Sequence, residues 1–370
     1  FGRLNVVEVG PLSFTLKYGA SGRVSQISLS DGRSVTLTAE SYSDREVGRE
    51  FREASGREAQ YKLSFNNRGT VASESYAVSP LPTTKRDYSY SDRGFLASVD
   101  QGNGRMGFTY DERGLLKRSA TDPNRYDSLG RLARKGDVEF RYGPSGRIES
   151  ADANAKHWEY VYDESGLRTA KKSQGQYREA YVGDLLVDNE TLVVPLTLGG
   201  VRIGAFVGDA FILSPTDLRM TPWGFDDRDL AKPYGERLSH NAASKYWEYA
   251  GKGYDSDIGL IRMGARDYDS ETGLFASPDP LFLDQPELCS ENPLECNLYT
   301  YARNSPTNYI DSRGEFAQAI TIPVGAAVGF AISAGMEYHA ATGPVDMVRV
   351  FAAGVGGAVN GATVGGSFGL

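Results

Sequence analysis

The sequence has few cysteines and histidines. Its 370 residues include two cysteines, Cys289 and Cys296, and three histidines, His157, His240 and His339. Both cysteines lie in one short segment, so the chain has neither a disulfide framework nor four thiolate ligands for a structural zinc ion. The histidines are each more than eighty residues from the next. We therefore expect no metal centre, no cofactor and no histidine-based catalytic triad.

The chain also lacks a positive net charge and has few prolines. The chain has 40 Lys and Arg residues against 48 Asp and Glu residues, a net charge of −8. This balance lacks the basic surface that nucleic-acid binding needs, and we expect no nucleic-acid partner. Only 16 prolines accompany 43 glycines and 22 tyrosines. Such a composition suits many turns joined by aromatic strands and argues against a disordered or all-helical protein.

The N-terminal segment has no signal-peptide pattern. The opening run FGRLNVVEVGPLSF alternates between polar and apolar residues as a strand does. It has no basic region followed by an apolar region. Because the first residue is Phe1, we expect the chain to be a piece of a longer protein, whose localisation this segment does not decide.

A short repeat is present in the first half of the chain. Each copy has an aromatic residue, usually Asp or Ser next to it, a glycine four residues later and then an apolar residue. The copies start at Tyr18, Phe65, Tyr90, Tyr110, Tyr126, Tyr142 and Tyr162, and their glycines are Gly22, Gly69, Gly94, Gly114, Gly130, Gly146 and Gly166. The spacing predicts antiparallel hairpins in series.

The repeat residues suit a type I turn followed by a bulge. The Asp or Ser side chain can accept hydrogen bonds from the backbone ahead, and the glycine can take the positive φ that closes the turn. The tyrosine and the apolar residue after the turn then face each other across the hairpin, a pair worth roughly 0.2–1 kcal/mol. The repeat carboxylates are turn residues, and we assign them no catalytic role.

Beyond the repeats the pattern changes twice. Apolar runs between 181 and 222 predict buried strands, and a polar loop follows them. Two near-copies of a new motif then occupy residues 254–260 and 268–274. They lead into FASPDP and, after an insertion, into NLYTYARNSPTNYIDSRGE.

The run GLIRMGARDYDSETGLFASPDP, followed by NLYTYARNSPTNYIDSRGE, resembles the Rhs-repeat-associated core domain. The upstream copies resemble the YD repeats that precede that domain in bacterial Rhs polymorphic toxins, in the C subunits of insecticidal Tc toxins and, more distantly, in teneurins. The resemblance implies an all-β fold. In it a spiralling β-sheet strip of YD/Rhs hairpins forms a hollow shell, or cocoon, and a short Gly/Ala-rich C-terminal segment can be helical.

The same resemblance implies three domains and a self-cleaving site. Residues 1–222 would form the repeat shell, 223–315 the Rhs-associated core, and 316–370 a C-terminal toxin or translocation segment. The family core is an aspartyl protease that cuts its own chain once. By position, Asp279 and Asp311 match its two aspartates and Arg266 matches its arginine. Cleavage would follow Glu315 and leave Phe316 as a new N-terminus.

Paired carboxylates suit this chemistry, because two of them close together share a proton and one can then act as base while the other acts as acid. An arginine nearby would hold one carboxylate in place. The residues alone also permit a purely structural interpretation, in which Asp311 and Gly314 form another turn and Asp279 before Pro280 shapes a loop. Ser312 replaces the proline of the family motif and Glu315 replaces its leucine.

An acidic insertion, LFLDQPELCSENPLEC, contains both cysteines. If the protein is exported, a bridge between Cys289 and Cys296 could close this loop. Two free thiols are the alternative.

The last 55 residues change abruptly in composition. Two runs, 316–336 and 350–370, each hold 21 residues without a charge, long enough to cross a bilayer as a helix. Glycines recur every four residues, a spacing that lets helix backbones touch in lipid. They are Gly325, Gly329, Gly357, Gly361, Gly365 and Gly369. A membrane-active segment and a flexible spacer or cargo are both compatible with this tail.

Two functions follow from the resemblance. The first is a fragment of an Rhs-type toxin, secreted or delivered to a target cell by type VI secretion or a Tc-like system in interbacterial competition. Its partners would be its own C-terminal toxin segment held in the shell, a delivery machinery, an immunity protein and a target membrane. The alternative is a non-enzymatic, teneurin-like surface or adhesion protein that does not cleave itself.

Overall fold

The computed structural model describes residues 5–9, 11–40, 45–117, 123–223, 230–238, 240, 245–280, 297–311, 314 and 318–319. The regular elements in these ranges are antiparallel β-strands and a 3-10 turn at Ala302–Asn304. The predicted all-β class is confirmed. No helix in this part of the chain is long and apolar enough to cross a bilayer.

Sheet I contains ten strands that pair strictly in chain order. Its strands are β1 (Val6–Val9), β2 (Leu12–Tyr18), β3 (Val24–Leu29), β4 (Ser34–Ala39), β5 (Glu46–Arg52), β6 (Glu58–Phe65), β7 (Val71–Val78), β8 (Thr84–Tyr90), β9 (Leu96–Asp100) and β10 (Arg105–Gly107). Each strand hydrogen-bonds to the next one along the chain, so the sheet grows as a strip.

Sheet II continues the strip with eleven strands in the same sequential order. Its strands are β11 (Arg125–Tyr126), β12 (Leu132–Lys135), β13 (Val138–Tyr142), β14 (Ile148–Ala153), β15 (Lys156–Tyr162), β16 (Arg168–Ser173), β17 (Gln176–Val182), β18 (Leu185–Asp188), β19 (Thr191–Leu198), β20 (Val201–Val207) and β21 (Ala210–Leu213). Seven of the eight residues of β19 are buried, as the apolar runs after residue 181 predict.

Two smaller sheets follow. The core sheet holds four strands, β22 (Tyr254–Asp255), β23 (Leu260–Met263), β24 (Arg266–Asp269) and β25 (Leu274–Phe275). A last pair consists of β26 (Tyr309–Ile310) and β27 (Gln318–Ala319).

The repeat turns have the predicted chemistry. In the copy that starts at Tyr142, Gly146 has a φ of +75° and its N–H donates to the Gly143 carbonyl, while the Gly143 N–H donates to the Arg147 carbonyl, both at 3.0 Å, as in a turn closed by a bulge at the glycine. A further shift of register by one residue lies between Arg141 and Tyr142. Tyr142 then pairs with Ile148 across the hairpin. In the copy that starts at Tyr162, the Asp163 carboxylate accepts the Leu167 N–H at 2.9 Å. The turn, the bulge and the cross-strand pair predicted from the repeat are therefore confirmed.

Repeat tyrosines also join neighbouring copies of the repeat. In each case the hydroxyl donates to the carbonyl of the residue two positions after the glycine of the preceding copy. These bonds run from Tyr90 to Val71 (2.6 Å), from Tyr110 to Leu96 (2.7 Å), from Tyr142 to Leu132 (2.8 Å) and from Tyr162 to Ile148 (2.8 Å). One side chain thus fixes both its own hairpin and the spacing to the previous one.

An apolar core lies between the two large sheets. Apolar residues of β1–β7 share one buried cluster with residues of β18–β20 and with Trp223. The rings of Phe14 and Phe211 meet edge to face at 5.5 Å. At Gly199 an added Cβ would lie 2.5 Å from a methyl carbon of Val24. Sheet I therefore packs closely on the end of sheet II in this part of the chain.

Candidate functional site

Arg266 lies at the start of β24, after the tight turn that joins β24 to β23. Met263 and Arg266 pair across this turn, and Gly264 takes a φ of +71° within it. The Arg266 side chain is buried, with its guanidinium carbon 3.5 Å from the centre of the Phe275 ring. The local fold thus fixes a cation in a largely enclosed site.

Two carboxylates contact the same nitrogen of this guanidinium. Arg266 Nη2 lies 2.7 Å from Asp279 Oδ2 and 3.4 Å from Asp311 Oδ2. Asp279 and Asp311 are 4% and 3% exposed. The structure therefore brings together the three residues that the sequence motif assigns to self-cleavage, although Arg266 and Asp311 are 45 positions apart.

The backbone at Gly314 completes the cluster. Its carbonyl oxygen accepts a hydrogen bond from Arg266 Nε at 2.5 Å, and its N–H donates to Asp311 Oδ1 at 2.8 Å. Gly314 has a φ of +70°, and an added Cβ would lie 2.2 Å from the Met263 carbonyl oxygen. Only glycine fits here, because a side chain would collide with backbone that cannot move aside.

The chain segment that follows Asp279 starts and ends near this cluster. Pro280 follows Asp279, and the Leu298 carbonyl accepts hydrogen bonds from Arg266 Nη1 and from the Asp279 N–H, both at 2.9 Å. The sequence did not predict a role for Leu298, because this residue acts through its backbone carbonyl, a group that every residue has.

Several predicted residues lie outside the described part of the chain. They are Ser312, the cleavage-site residues Glu315 and Phe316, the cysteines Cys289 and Cys296, and the tail glycines Gly325, Gly329, Gly357, Gly361, Gly365 and Gly369. Gly314 is described, so the structure follows the chain to within one residue of the predicted cleavage position.

The two acidic residues of β24 face away from the site. Asp267 forms an ion pair with Arg168 at 2.7 Å, and Asp269 forms one with Lys135 at 2.6 Å. Burial raises the pKa of Asp267, and the charge of Arg168 opposes that rise. These aspartates fasten the core sheet to sheet II, because alternate residues of a strand point to opposite faces.

Buried acidic side chains of this kind are paired throughout the same interface. Lys171, which is 1% exposed, contacts Asp255 at 2.7 Å and Asp257 at 2.5 Å. Such pairing is what a charge removed from water requires. In the described ranges no group of three or more His, Cys, Asp or Glu side chains is arranged to hold a metal ion.

The cluster at Arg266 differs from these pairs in its place beside the backbone of Gly314. One guanidinium nitrogen there contacts two carboxylates that are both buried. A pair of carboxyl groups can supply one general base and one general acid. The arrangement is therefore suited to acid and base catalysis on the chain that passes beside it.

Comparison with known families locates the repeat region. The family model described as Teneurin YD-shell matches residues 2–186, which is half of the chain. Human teneurin-1 is 26% identical over 271 residues, covering 66% of this chain and 10% of the human protein. Salivary gland surface protein 1 of Aedes aegypti is 31% identical over 102 residues, covering 26% of this chain and 3% of that protein. The chain thus spans about a tenth of the length of the teneurin that it matches.

A solved structure has the same fold over most of the chain. The crystal structure of TcdB2-TccC3 aligns with a TM-score of 0.62 and 16% sequence identity. The alignment covers 83% of this chain and 20% of that one. It extends beyond the residues that the family model matches, so the likeness of fold is not confined to the repeats.

Proposed function

The chain belongs to the teneurin YD-shell family, and from this premise we propose that it is part of an Rhs-type toxin. Its β shell would enclose a C-terminal toxin segment and release it by aspartyl self-cleavage after Glu315. The observation that carries the proposal is the contact of Asp279 and Asp311 with one nitrogen of Arg266.

The proposed reaction is hydrolysis of the peptide bond between Glu315 and Phe316. One carboxylate of the pair accepts a proton from water, whose oxygen attacks the Glu315 carbonyl carbon. The other carboxyl group donates its proton to the carbonyl oxygen. The carbon–nitrogen bond then breaks as the Phe316 nitrogen takes the proton that the first carboxylate accepted from water. The former carbonyl oxygen returns its proton to the second carboxylate, which leaves a new carboxyl group on Glu315 and a new amine on Phe316.

The contacts of Gly314 support this assignment. Arg266 Nε and Asp311 Oδ1 hold its carbonyl and its N–H, so two residues of the cluster fix the peptide groups on both sides of the Gly314 Cα. The second of these groups directly precedes the peptide bond predicted to be cleaved. Fixing a reacting group beside its catalyst removes much of the entropy cost of the reaction. Because the site acts on its own chain, a single turnover suffices.

The wider proposal covers domains, partners and location. Residues 1–222 would form the shell wall, 223–315 the self-cleaving core and 316–370 the toxin or translocation segment. The likeness to the TcdB2-TccC3 structure supports delivery as part of a larger complex. We propose that the protein is secreted or delivered to a target cell, where an immunity protein and a target membrane are its further partners.

The test is expression of the chain followed by intact mass measurement and N-terminal sequencing. Cleavage should give two fragments, one ending at Glu315 and one starting at Phe316. Asp279→Asn and Asp311→Asn should each leave a single intact chain. Asp137→Asn is the matched control, because the Asp137 side chain is fully exposed. An intact wild-type chain, or cleavage that persists in both variants, would overturn the proposal.

The sequence similarity to human teneurin-1 favours a second candidate, a surface or adhesion protein without self-cleavage. In that case the Arg266 cluster would only close the end of the shell. An intact wild-type chain that binds a cell-surface partner would support this function over the first.

A further inference from the structure

We propose that Asn304 and Asn308 are positioning residues for self-cleavage. They lie in residues 297–308, which we call the strap, and they fasten the strap across the turns of successive repeats. The fastened strap would hold Asp311 against Arg266 only where those repeats have assembled. The inference rests on the proposed self-cleavage and adds the way in which it is regulated.

The strap contacts four repeats in reverse chain order. The contacts are Tyr299 Oη to the Leu129 carbonyl (2.9 Å), Asn304 Nδ2 to the Gly114 carbonyl (2.6 Å), Thr307 Oγ1 to Tyr90 Oη (2.8 Å) and the Val71 N–H to Asn308 Oδ1 (2.8 Å). The repeat partners are thus spread over some sixty residues of sequence. They meet one strap only after the strip has folded.

The backbone of the strap requires such support. Ala302, Arg303 and Asn304 have φ values of 50°, 53° and 57°, three consecutive left-handed residues without a glycine. Each left-handed L-residue costs about 1 kcal/mol, although asparagine tolerates the conformation better than most. A segment of this kind keeps its shape where its surroundings fix it.

Two side chains fix it. Tyr301 is fully buried, and its ring centre lies 4.6 Å from that of Tyr268 in the core sheet. Asn304, which is 2% exposed, donates to the Gly114 carbonyl in a repeat turn. The strap is therefore held on one side by the core sheet and on the other by the repeats.

Both ends of the strap reach the site. At its start, Leu298 accepts hydrogen bonds from Arg266 Nη1 and from the Asp279 N–H. At its end, Asn308 is followed by the two residues of β26 and then by Asp311. A displaced strap would shift Asp311 and the Leu298 carbonyl together, and Arg266 would lose partners at both points.

The two asparagines contact the repeats through opposite ends of their amides, which allows a matched test. Asn304 donates through Nδ2, so Asn304→Asp replaces the donor by an oxygen facing the Gly114 carbonyl. Asn308 accepts from the Val71 N–H through Oδ1 and donates through Nδ2 to Ser305 Oγ, a residue of the strap itself, at 2.8 Å. Asn308→Asp keeps the acceptor for the Val71 N–H, and the Ser305 hydroxyl can turn to donate to the new oxygen, whereas Asn308→Leu removes both contacts. The same chemical change should therefore act differently at the two positions.

The experiment follows cell-free synthesis of the full chain with labelled methionine, and it measures the first-order rate at which the two fragments appear. Both fragments carry label, because the chain has methionines at 263 and 336. Asn304→Asp and Asn308→Leu should slow cleavage by about tenfold, the effect of leaving one buried partner unsatisfied. Asn308→Asp should cleave about tenfold faster than Asn308→Leu.

Two controls separate positioning from general stability. Asn154→Asp changes an exposed asparagine in a hairpin turn of sheet II and should cleave at the wild-type rate. Val35→Ala should lower the melting temperature through a buried wall residue, while the folded chain still cleaves. A merely structural role for the asparagines would instead make cleavage follow the melting temperature in all variants.

The outcomes are distinct. Wild-type cleavage with an unaltered rate in Asn304→Asp would overturn this inference and leave the proposed function standing. Equal slowing by Asn308→Asp and Asn308→Leu would overturn it too, even if Asn304→Asp fails to fold. An uncleaved wild-type chain would overturn the proposed function itself, and this inference with it.

Discussion

Glu74 and Arg219 form a bidentate ion pair in the interior of the protein. Arg219 Nη1 and Nη2 each lie 2.7 Å from a Glu74 oxygen, and the residues are 1% and 5% exposed. Glu74 belongs to β7 of sheet I, whereas Arg219 follows the last strand of sheet II. Tyr88 also donates to Glu74, at 2.6 Å. The pair therefore ties the end of the strip back to its first sheet.

This pair predicts a loss of stability in acid. Burial works to raise the pKa of Glu74, but the charge of Arg219 and its hydrogen bonds outweigh burial and lower the pKa to about 2. Because the folded pKa is depressed, the stabilisation is present above the ordinary value of 4.5 and is lost as the pH falls towards 2. We expect a loss of about 3 kcal/mol from this group.

Chemical denaturation between pH 7 and pH 2 measures this effect. The wild-type unfolding free energy should fall more steeply below pH 4.5 than that of Glu74→Gln. Parallel pH profiles of the two proteins would contradict the prediction.

At neutral pH, Glu74→Gln should itself be strongly destabilising. The variant leaves the buried Arg219 with one carboxylate partner fewer, and breaking a buried pair in this way costs about 3–5 kcal/mol. Urea denaturation measures the change. Glu164→Gln, at an exposed turn position, is the matched control and should change the unfolding free energy by less than about 0.5 kcal/mol.

The tyrosine bonds between repeats predict a smaller effect. Tyr162→Phe keeps the ring and removes the hydroxyl, which donates to the Ile148 carbonyl at 2.8 Å and accepts from Arg168 Nη2 at 3.3 Å. We expect a loss of about 1–2 kcal/mol, the net value of these two hydrogen bonds. Tyr177→Phe is the control, because Tyr177 is 66% exposed and its change should be neutral. Equal thermal shifts in the two variants would refute this role of the repeat tyrosine.

Gly314→Ala should block self-cleavage without unfolding the shell. The new methyl group would lie 2.2 Å from the Met263 carbonyl and would push Gly314 away from Arg266. Intact mass measurement should find a single chain with a near-normal melting temperature. Gly146→Ala is the matched control, because its φ is +75° and nothing lies within 4 Å of an added Cβ. That variant bears the same backbone cost but should still cleave.

Local chemistry explains which parts of the fold are predictable. The offset between Tyr142 and Gly146 identifies a turn, because the residues that make it lie within a few positions of each other. The bond from Tyr142 to the Leu132 carbonyl belongs to the contact between two copies, and the repeat pattern gives no sign of it. The ion pair between Glu74 and Arg219 joins residues 145 positions apart. A single sequence does not predict this contact either.

The candidate site also has one part that the sequence predicts and another that only the fold shows. The motif resemblance identified Arg266, Asp279 and Asp311 by position. One guanidinium nitrogen contacts both carboxylates. A sequence motif gives no information on this geometry. The contact between Asn304 and the Gly114 carbonyl, 190 positions away in the chain, depends on how the strip is wound. Only the folded strip reveals it.

The one-residue β-bulge next to the repeat tyrosines twists the sheet in a regular way. Bulges add right-handed twist, and here they occur at the same place in several copies, as at Tyr90, Tyr142 and Tyr162. Their contributions therefore have the same sense and accumulate. A relative with more copies would make a longer coil of the same handedness rather than a flatter surface, and evolution could lengthen the wall one hairpin at a time.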